Sequence, residues 1–364
     1  MLICLIVGAR PNFMKIAPID REFARRGIET VLVHTGQHYD ENMSDIFFQD
    51  LNMKAPDVHL NVGSGTHASQ TATIMIEFEK VCKQNNFSMV VVVGDVNSTI
   101  ACTLVAKKLA IPVTHVEAGL RSFDREMPEE INRILTDSVS DLLLTPSTDG
   151  DENLRNEGVS EERIKFVGNI MIDSLYDALE RVNQTDMNVA NKLGINKYTV
   201  VTLHRPSNVD HPSQLDRLIE ELVKVSRKIP IIFPMHPRTR NNFTKFDKLT
   251  SFLDNDRIYV IEPLGYLEFV SLIGGSNLVI TDSGGLQEET TSLGIPCLTL
   301  RENTERPITI SEGTNQLITD LDMLQEAVDN SLGQNSVREG KKPQFWDGKT
   351  AIRIVDAITN HLER

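Results

Sequence analysis

Short runs of apolar, mostly β-branched residues alternate with amphipathic stretches along almost the whole chain. The clearest run is Val90–Val93, which is typical of a strand buried on both faces of a parallel sheet. Similar runs predict strands at 2–7, 30–34, 113–116, 142–145, 164–167, 199–203, 231–235, 258–261, 278–281 and 296–300. Apolar residues at helical spacing predict helices at 41–52, 67–84, 98–110, 149–156, 213–227, 265–273, 284–293 and 348–363.

This alternation of strand and helix predicts an α/β fold with two doubly wound, Rossmann-like domains that face a cleft. A chain of 364 residues is also longer than one core usually supports. We place the first domain at 1–170 and the second at 171–346, and expect the helix in 347–364 to pack back on the first. Ser98 or Thr99 is the expected N-cap of the helix at 98–110, and Asp347 that of the final helix.

Composition excludes several classes of function. The chain has 37 basic and 51 acidic residues, a net charge of −14 and a pI near 5.2, which argue against nucleic-acid or anionic-membrane surfaces. Its four cysteines show no CxxC spacing, so we expect buried thiols of a reducing compartment. The start of the chain lacks a basic segment before its apolar run, and no run approaches the ~20 residues of a membrane span. We therefore expect a soluble, cytoplasmic protein.

Acidic residues follow two consecutive predicted strands. Asp95 comes just after the strand at Val90–Val93, and Glu117 just after the next one. Because parallel sheets place ligands at the carboxyl ends of their strands, we expect both carboxylates to point into one crevice. Pro128 followed by Glu129 and Glu130 predicts the first turn of a helix that brings more carboxylates to the same edge.

Two strand-to-helix turns are suited to bind phosphate. The first is the segment 8–15, where Arg10 and Lys15 add positive charge to a glycine-containing turn. The second is the segment 282–289, which offers the Ser283 hydroxyl and the backbone amides that follow it. Solvated charges that flank a helix cap remain the alternative interpretation at the first turn.

Histidines also follow strands. His204 and His236 each precede or nearly precede an arginine at a predicted strand end, where they suit an anionic ligand; histidines bonded to backbone are the alternative. His34 and His38 lie close together, but no third ligand stands at a suitable spacing, so we predict no metal site. Cations that hold a diphosphate, together with carboxylates that move protons, fit an enzyme acting on nucleotide sugars.

The chain resembles the non-hydrolysing UDP-N-acetylglucosamine 2-epimerases, which have the fold of the B-type glycosyltransferases. The resemblance covers essentially the whole chain and rests on motifs that occur in family order: GARPNFMK, HTGQH, GDVNST, HVEAGLRS, PEEINR, GNxxID, HR, HPRT, DSGGLQEE, LRENTERP and WDGKTA. It implies that Asp95, Glu117 and Glu129 transfer protons and that His204 meets the β-phosphate. The implied substrate-binding residues are Arg10, Lys15, Arg133, Phe269 (at the uracil), Ser283, Gly284, Gly285, Glu289 and Arg306.

The resemblance implies reversible epimerisation at C2 of UDP-N-acetylglucosamine to UDP-N-acetylmannosamine, through elimination of UDP to 2-acetamidoglucal and its re-addition. It implies no nicotinamide or metal cofactor, a homodimer, and a role in cell-surface polysaccharide biosynthesis. Three alternatives stay open: a 2-epimerase of UDP-2,3-diacetamido-uronic acids, a hydrolysing epimerase, and a glycosyltransferase of the same architecture. Where bacterial members are rich in glutamines that hold a second, activating substrate molecule, segment 39–44 carries Asp40 and Glu41. We therefore expect kinetics without substrate activation.

Overall fold

The chain divides into two compact units, one formed by Met1–Tyr176 with Gln344–Arg364 and the other by Asp177–Pro343. The computed structural model describes residues 1–36, 48, 51–183, 189–248, 252–333 and 342–363. Each unit is built on one parallel sheet with helices between successive strands, so the predicted α/β fold class is confirmed.

The first unit contains a seven-stranded sheet in the order β3-β2-β1-β4-β5-β6-β7. Its strands are β1 Leu2–Val7, β2 Glu29–His34, β3 Val58–His59, β4 Met89–Val93, β5 Val113–Val116, β6 Leu142–Thr145 and β7 Ile164–Phe166. Its helices are α1 Arg10–Arg25, α2 His67–Gln84, α3 Asn97–Lys108, α4 Pro128–Val139, α5 Thr148–Asn156 and α6 Ile170–Asn183, the last of which runs on into the second unit.

The second unit contains a six-stranded sheet in the order β10-β9-β8-β11-β12-β13. Its strands are β8 Thr199–Thr202, β9 Ile231–Pro234, β10 Ile258–Ile261, β11 Leu278–Thr281, β12 Cys297–Thr299 and β13 Asn315–Leu317. Its helices are α7 Val189–Lys192, α8 Pro206–Val209, α9 Pro212–Lys228, α10 Pro237–Lys245, α11 Tyr266–Gly274, α12 Gly284–Leu293, α13 Ile308–Ser311 and α14 Leu324–Leu332. The chain ends with α15, Thr350–Leu362, in the first unit.

Apolar side chains of the strands and helices form the cores. Every residue of β4 is buried, and the strand pairs with β1 on one side and β5 on the other, which explains why its valines run without interruption. Three of the cysteines, Cys4, Cys82 and Cys102, belong to one apolar cluster of the first unit, and Cys297 to one of the second. All four are buried and free, as predicted.

Two predicted helix caps are wrong. Helix α3 begins at Asn97, not at 98, and neither Ser98 nor Thr99 caps it: the Thr99 hydroxyl donates to the carbonyl oxygen of Val93, and Ser98 bonds Thr35. Helix α15 begins at Thr350, and its first amides donate to the carboxylate of a residue far away in the sequence, Asp173.

Asp347, the predicted cap of α15, instead forms an ion pair with Arg353 and accepts the amide of Lys349. The predicted helix at 41–52 lies almost wholly outside the described residues, of which only Phe48, Leu51 and Asn52 fall in it. Among the helices that the structure describes, none is long and apolar enough to cross a membrane.

Candidate active site

Asp95 and Glu117 lie at the carboxyl ends of neighbouring strands. Strands β4 and β5 are parallel, and Val93 stands opposite Val116 in their register, so Glu117 lies one residue and Asp95 two residues beyond the paired strand ends. The Asp95 side chain is 35% exposed, whereas that of Glu117 is 3% exposed. Glu117 also has a φ of +70°, a left-handed backbone conformation that costs free energy for any residue other than glycine.

Each acid has its own cationic partner. The ammonium group of Lys15, on α1, forms an ion pair with the Glu117 carboxylate, and both side chains are buried. Arg133, on α4, forms an ion pair with Asp95 and a second one, at 2.7 Å, with Glu130. Two residues predicted to bind substrate, Lys15 and Arg133, therefore neutralise the candidate catalytic acids.

Gly94 makes the close approach of these groups possible. Its φ is +67°, and a Cβ atom there would lie 3.2 Å from the Lys15 ammonium nitrogen and 3.7 Å from a carboxylate oxygen of Glu117. The Lys15–Glu117 ion pair therefore packs against Gly94, and Asp95 is the next residue in the turn between β4 and α3. Side chains from three separate stretches of the sequence meet at this turn.

A buried histidine, His115, contacts the backbone of the same turn. Nδ1 of His115 lies 2.6 Å from the carboxylate of Asp137, and its Nε2 lies 2.9 Å from the carbonyl oxygen of Gly94. The Gly94 carbonyl oxygen can only accept, so Nε2 donates to it and the ring links the turn to Asp137. Burial alone would raise the pKa of Asp137, but His115 and the nearby Arg121 outweigh it, so that pKa is lowered.

The turn at 8–15 differs from the predicted phosphate site. The side-chain oxygen of Asn12 accepts the amides of Gly8, at 3.3 Å, and Ala9, at 2.9 Å, so these donors are already satisfied. The Asn12 amide nitrogen in turn donates to the Val93 carbonyl oxygen at 3.1 Å. Of the two predicted cations, Lys15 pairs with Glu117 and Arg10 has an exposed side chain.

The first turn of α4 contains two acids with different surroundings. Glu129 is half-buried. Glu130 is 1% exposed and accepts the amides of Ser122 and Phe123 at 3.0 and 2.9 Å. Burial alone would raise the pKa of Glu130, but the Ser122 amide and Arg133 outweigh it and the pKa is lowered.

In the second unit, His204 follows β8 and contacts a buried aspartate. Its Nδ1 lies 3.0 Å from a carboxylate oxygen of Asp282, whose side chain is fully buried while that of His204 is 43% exposed. Burial alone would raise the pKa of Asp282, but its hydrogen bond with His204 and the Arg205 amide lower it below the ordinary value. The ring of His236 lies beside His204, with centroids 5.5 Å apart.

The turn at 282–285 leads directly into α12. Ser283, Gly284 and Gly285 are all partly exposed there, at the positive end of the helix, and the Ser283 amide donates to the Thr281 hydroxyl at 3.0 Å. Glu289, one turn further on, is buried and accepts a hydrogen bond from the Tyr266 hydroxyl at 3.2 Å. Burial raises the pKa of Glu289 to about 7.

Arg306 lies beside this turn in a cluster of charges. It forms ion pairs with Glu288, at 2.8 Å, and with Glu305, which also pairs with Arg301 at 2.9 Å. A Cβ atom at Gly284 would lie 2.8 Å from Glu305 and 2.9 Å from Arg306, so this glycine leaves room for the cluster. Burial opposes ionisation of Glu305, but the two arginines hold its pKa far below the ordinary range.

Phe269, on α11, is half-buried against an apolar cluster of the second unit. His38, named above in the metal hypothesis, lies outside the described residues, as does the segment 39–44. Within the described ranges no group of three or more His, Cys, Asp or Glu side chains is placed to hold a metal ion.

Sequence reasoning missed the partners that orient the site, namely Asn12, His115, Asp137 and Asp282. A signal existed for Asp282, which follows its strand directly, as Glu117 does. The roles of Asn12 and Asp137 depend on residues distant in the sequence, and no local pattern identifies them.

The two Rossmann-like units, the carboxylates at adjacent strand ends and the open helix N-terminus define an α/β enzyme of nucleotide-sugar chemistry. Residues 21–359 match the family model described as UDP-N-acetylglucosamine 2-epimerase. A UDP-N-acetylglucosamine 2-epimerase of Methanocaldococcus jannaschii is 44% identical over 367 residues, with 99% of both chains covered. The chain therefore belongs to the UDP-N-acetylglucosamine 2-epimerase family, and it is an isomerase.

Other relatives extend this comparison. A UDP-2,3-diacetamido-2,3-dideoxy-D-glucuronate 2-epimerase of Pseudomonas aeruginosa is 39% identical over 98% of this chain and 99% of its own. The crystal structure of the M. jannaschii enzyme in complex with UDP-GlcNAc and UDP has a TM-score of 0.90 and 42% identity, covering 99% of this chain and 100% of that one. The Neisseria meningitidis enzyme bound to UDP-GlcNAc gives a TM-score of 0.89 at 29% identity, covering 99% and 100%. The family predicted from the motifs is confirmed.

Proposed function

We propose that this enzyme interconverts UDP-N-acetylglucosamine and UDP-N-acetylmannosamine by inverting C2 of the sugar. The observation that carries the proposal is the pair of carboxylates, Asp95 and Glu117, just beyond the ends of adjacent strands, each in an ion pair with a cation. Inversion through removal and return of a proton needs one group for each face of the sugar, and two acids at one sheet edge provide them.

The hydrogen at C2 is not next to a carbonyl group, so its direct removal as a proton is too difficult. Elimination avoids this difficulty: a carboxylate takes the proton from C2 while the bond between C1 and the diphosphate oxygen breaks, giving 2-acetamidoglucal and UDP. Re-addition of UDP at C1, with a proton delivered to C2 from the other face, gives the epimer. We assign the proton transfers to Asp95, Glu117 and Glu129.

The second unit supplies groups for the leaving diphosphate. His204, the Ser283 hydroxyl and the amides of Gly284 and Gly285 neutralise the charge that develops on it, which lowers the barrier to elimination. Glu289 accepts a hydrogen bond from the ribose, and Phe269 contacts the uracil. Arg306 acts by holding the charge cluster beside Gly284 in place, and Arg10, Lys15 and Arg133 line the site at the sugar and the acids.

Proton NMR of the enzyme with UDP-N-acetylglucosamine in D2O tests this proposal. We expect the C2 proton signal to disappear as deuterium enters from solvent, while UDP-N-acetylmannosamine accumulates. Epimer that keeps protium at C2 would exclude proton exchange with solvent. Accumulation of free N-acetylmannosamine and UDP would instead identify a hydrolysing enzyme, and transfer of the sugar to an acceptor a glycosyltransferase.

A second candidate substrate is a UDP-2,3-diacetamido-uronic acid. It is supported by the P. aeruginosa relative, at 39% identity, and by the segment Arg121–Phe123 with the PEEINR motif, which resembles enzymes of that specificity. The same NMR experiment with this sugar nucleotide distinguishes the two. Turnover of the diacetamido substrate, without turnover of UDP-N-acetylglucosamine, would favour the second candidate.

We also propose that the enzyme works in the cytoplasm as a homodimer and supplies an activated sugar for cell-surface polysaccharides. Buried free thiols and a nucleotide-sugar substrate are typical of a reducing compartment. Light scattering of the purified protein measures the oligomeric state directly, and a monomer at micromolar concentration would contradict this assignment.

A further inference from the structure

We propose that Asp282 is a positioning residue for His204: it keeps a proton on Nδ1 of the imidazole and so leaves Nε2 to exchange a proton at the substrate's diphosphate. The inference rests on the proposed function of His204 and names a residue that acts through it. Asp282 lies at the end of β11, next to the end of β8 from which His204 follows.

The carboxylate of Asp282 is fully buried, and its two oxygens accept hydrogen bonds from different sets of donors. Oδ2 accepts the amides of His204, at 3.0 Å, and Arg205, at 2.8 Å, and the side-chain amide of Asn208, at 3.1 Å. Oδ1 lies 3.0 Å from Nδ1 of His204 and 3.2 Å from the His204 backbone nitrogen. The donors on Oδ2 therefore fix the rotation of the carboxylate and direct Oδ1 at the imidazole.

An ionised carboxylate can only accept hydrogen bonds. Nδ1 of His204 therefore donates to Oδ1 and carries a proton whether the ring is neutral or charged. Nε2 is then the nitrogen that gains and loses a proton, and it lies on a side chain that is 43% exposed. A group with this arrangement can give its Nε2 proton to the oxygen of the departing diphosphate and take that proton back as UDP adds again.

The substitution Asp282→Asn tests this inference because the same three donors dictate how the new amide sits. Its oxygen must take the place of Oδ2, since the opposite orientation would point an NH2 group at the Arg205 amide and the Asn208 side chain. The NH2 group then faces Nδ1 of His204, which must accept from it. The imidazole is thereby held neutral with its proton on Nε2.

Three measurements and a double variant check the expected result. In the ligand-free protein labelled with 15N-histidine, and with the His204 signals identified from a His204→Gln spectrum, Nδ1 should carry a proton in the wild type and none in Asp282→Asn. The variant should lose roughly 10²-fold or more in kcat, while calorimetry with UDP shows less than about a threefold change in Kd, because Nε2–H still donates to phosphate. In a His204→Gln background, the same substitution should change kcat by less than about twofold.

Asp216→Asn is the matched control, since this half-exposed carboxylate pairs with Lys248 and touches neither His204 nor Asp282. It should match the wild type in all three measurements. A proton retained on Nδ1 in Asp282→Asn, wild-type turnover by that variant, or an equal loss in the His204→Gln background would each overturn the inference. If the wild-type enzyme fails to epimerise the sugar nucleotide, the proposed function fails, yet the NMR spectra still decide whether Asp282 sets the proton position.

Discussion

The two carboxylates at the strand ends differ in how far water reaches them. The Asp95 side chain is 35% exposed to solvent, while the side chains of Glu117 and its partner Lys15 are both buried. Removing the Glu117 charge takes the carboxylate away from the buried Lys15 ammonium, whereas Arg133, the buried partner of Asp95, keeps its ion pair with Glu130 when the Asp95 charge is removed. The same change of carboxylate to amide should therefore have different effects on stability at the two positions.

We expect Asp95→Asn and Glu117→Gln each to lose roughly 10²–10⁴-fold in kcat, the usual range for a group that transfers protons. Glu117→Gln should also lower the free energy of unfolding by about 3–5 kcal/mol, and Asp95→Asn by about 1 kcal/mol or less. Steady-state kinetics and urea unfolding measure both. Glu152→Gln, at an exposed position of the same unit, is the control and should change neither. Equal stability losses at both acids would contradict this difference in environment.

Glu289 should make the second unit less stable as pH rises. Its pKa in the folded protein is about 7, against an ordinary value of 4.5, because burial disfavours the charged carboxylate. The folded state therefore retains a proton that the unfolded state has lost, and stability falls between pH 4.5 and about 7. The shift corresponds to a loss on the order of 3 kcal/mol above that range.

Glu289→Gln cannot ionise and should escape this loss. Urea unfolding at about pH 5 and about pH 8 should show the variant gaining stability relative to the wild type as pH rises. Tyr266 can still donate to the side-chain oxygen of the glutamine. Glu302→Gln, at an exposed position of the same unit, should follow the wild type at both pH values. A constant difference between Glu289→Gln and wild type would show that Glu289 is ionised throughout.

Strands and helices with strong local patterns were predictable from the sequence. Helices α2 and α12 match the predicted ranges because their apolar spacing is local information. Strand β10 matches and β4 begins one residue earlier than predicted, because their apolar runs are continuous. Strand β3 has two residues, and β13 carries two amides in three residues, so neither presents an apolar run. Their places in the sheets depend on pairing with β2 and β12, which no local pattern reveals.

The candidate site was predictable as a set of residue types but not as a set of partners. Strand ends located Asp95, Glu117 and His204, because parallel strands present their carboxyl ends together. The sequence could not show that Lys15 belongs to Glu117, or that Asn12 satisfies the amides of the first turn, since both contacts require the chain to be folded. Motifs predict which groups are present, and packing decides which of them are already paired.

The turn between β4 and α3 depends on a glycine at position 94. Gly94→Ala should lower the free energy of unfolding by about 1–2 kcal/mol because its φ is positive. The close contact of the new Cβ atom with the Lys15 ammonium nitrogen should lower it further. Because that contact moves Lys15 away from Glu117, kcat should fall as well. Gly27→Ala is a matched control: its φ is +71°, yet its Cβ meets no described atom within 4 Å. Gly27→Ala should lose only the about 1–2 kcal/mol of unfolding free energy that the positive φ costs, and it should keep the wild-type kcat. Equal stability losses with normal turnover in both variants would contradict a role for the close approach.

The first unit is assembled from both ends of the chain. Residues 1–176 form most of it, the chain then builds the second unit, and residues 344–364 complete the first. Helix α15 packs against α1. The carboxylate of Asp173, at the start of α6, accepts the first amides of α15, so the returning helix is held at its N-terminus as well as by its apolar face. Arg26, just after α1, adds an ion pair to Asp356 at 2.6 Å.

This assembly predicts that α15 contributes directly to the stability of the first unit. Ile354 is fully buried in its inward face, whereas Ile352, two residues earlier on the same helix, is 42% exposed. Ile354→Ala should therefore cost about 2–5 kcal/mol, and the matched control Ile352→Ala less than about 0.5 kcal/mol. Trp346, the single tryptophan of the chain, is 2% exposed and belongs to the same unit, so its fluorescence during urea unfolding reports on this unit. Equal midpoints for the two alanine variants would show that the returning helix is not part of the cooperative core.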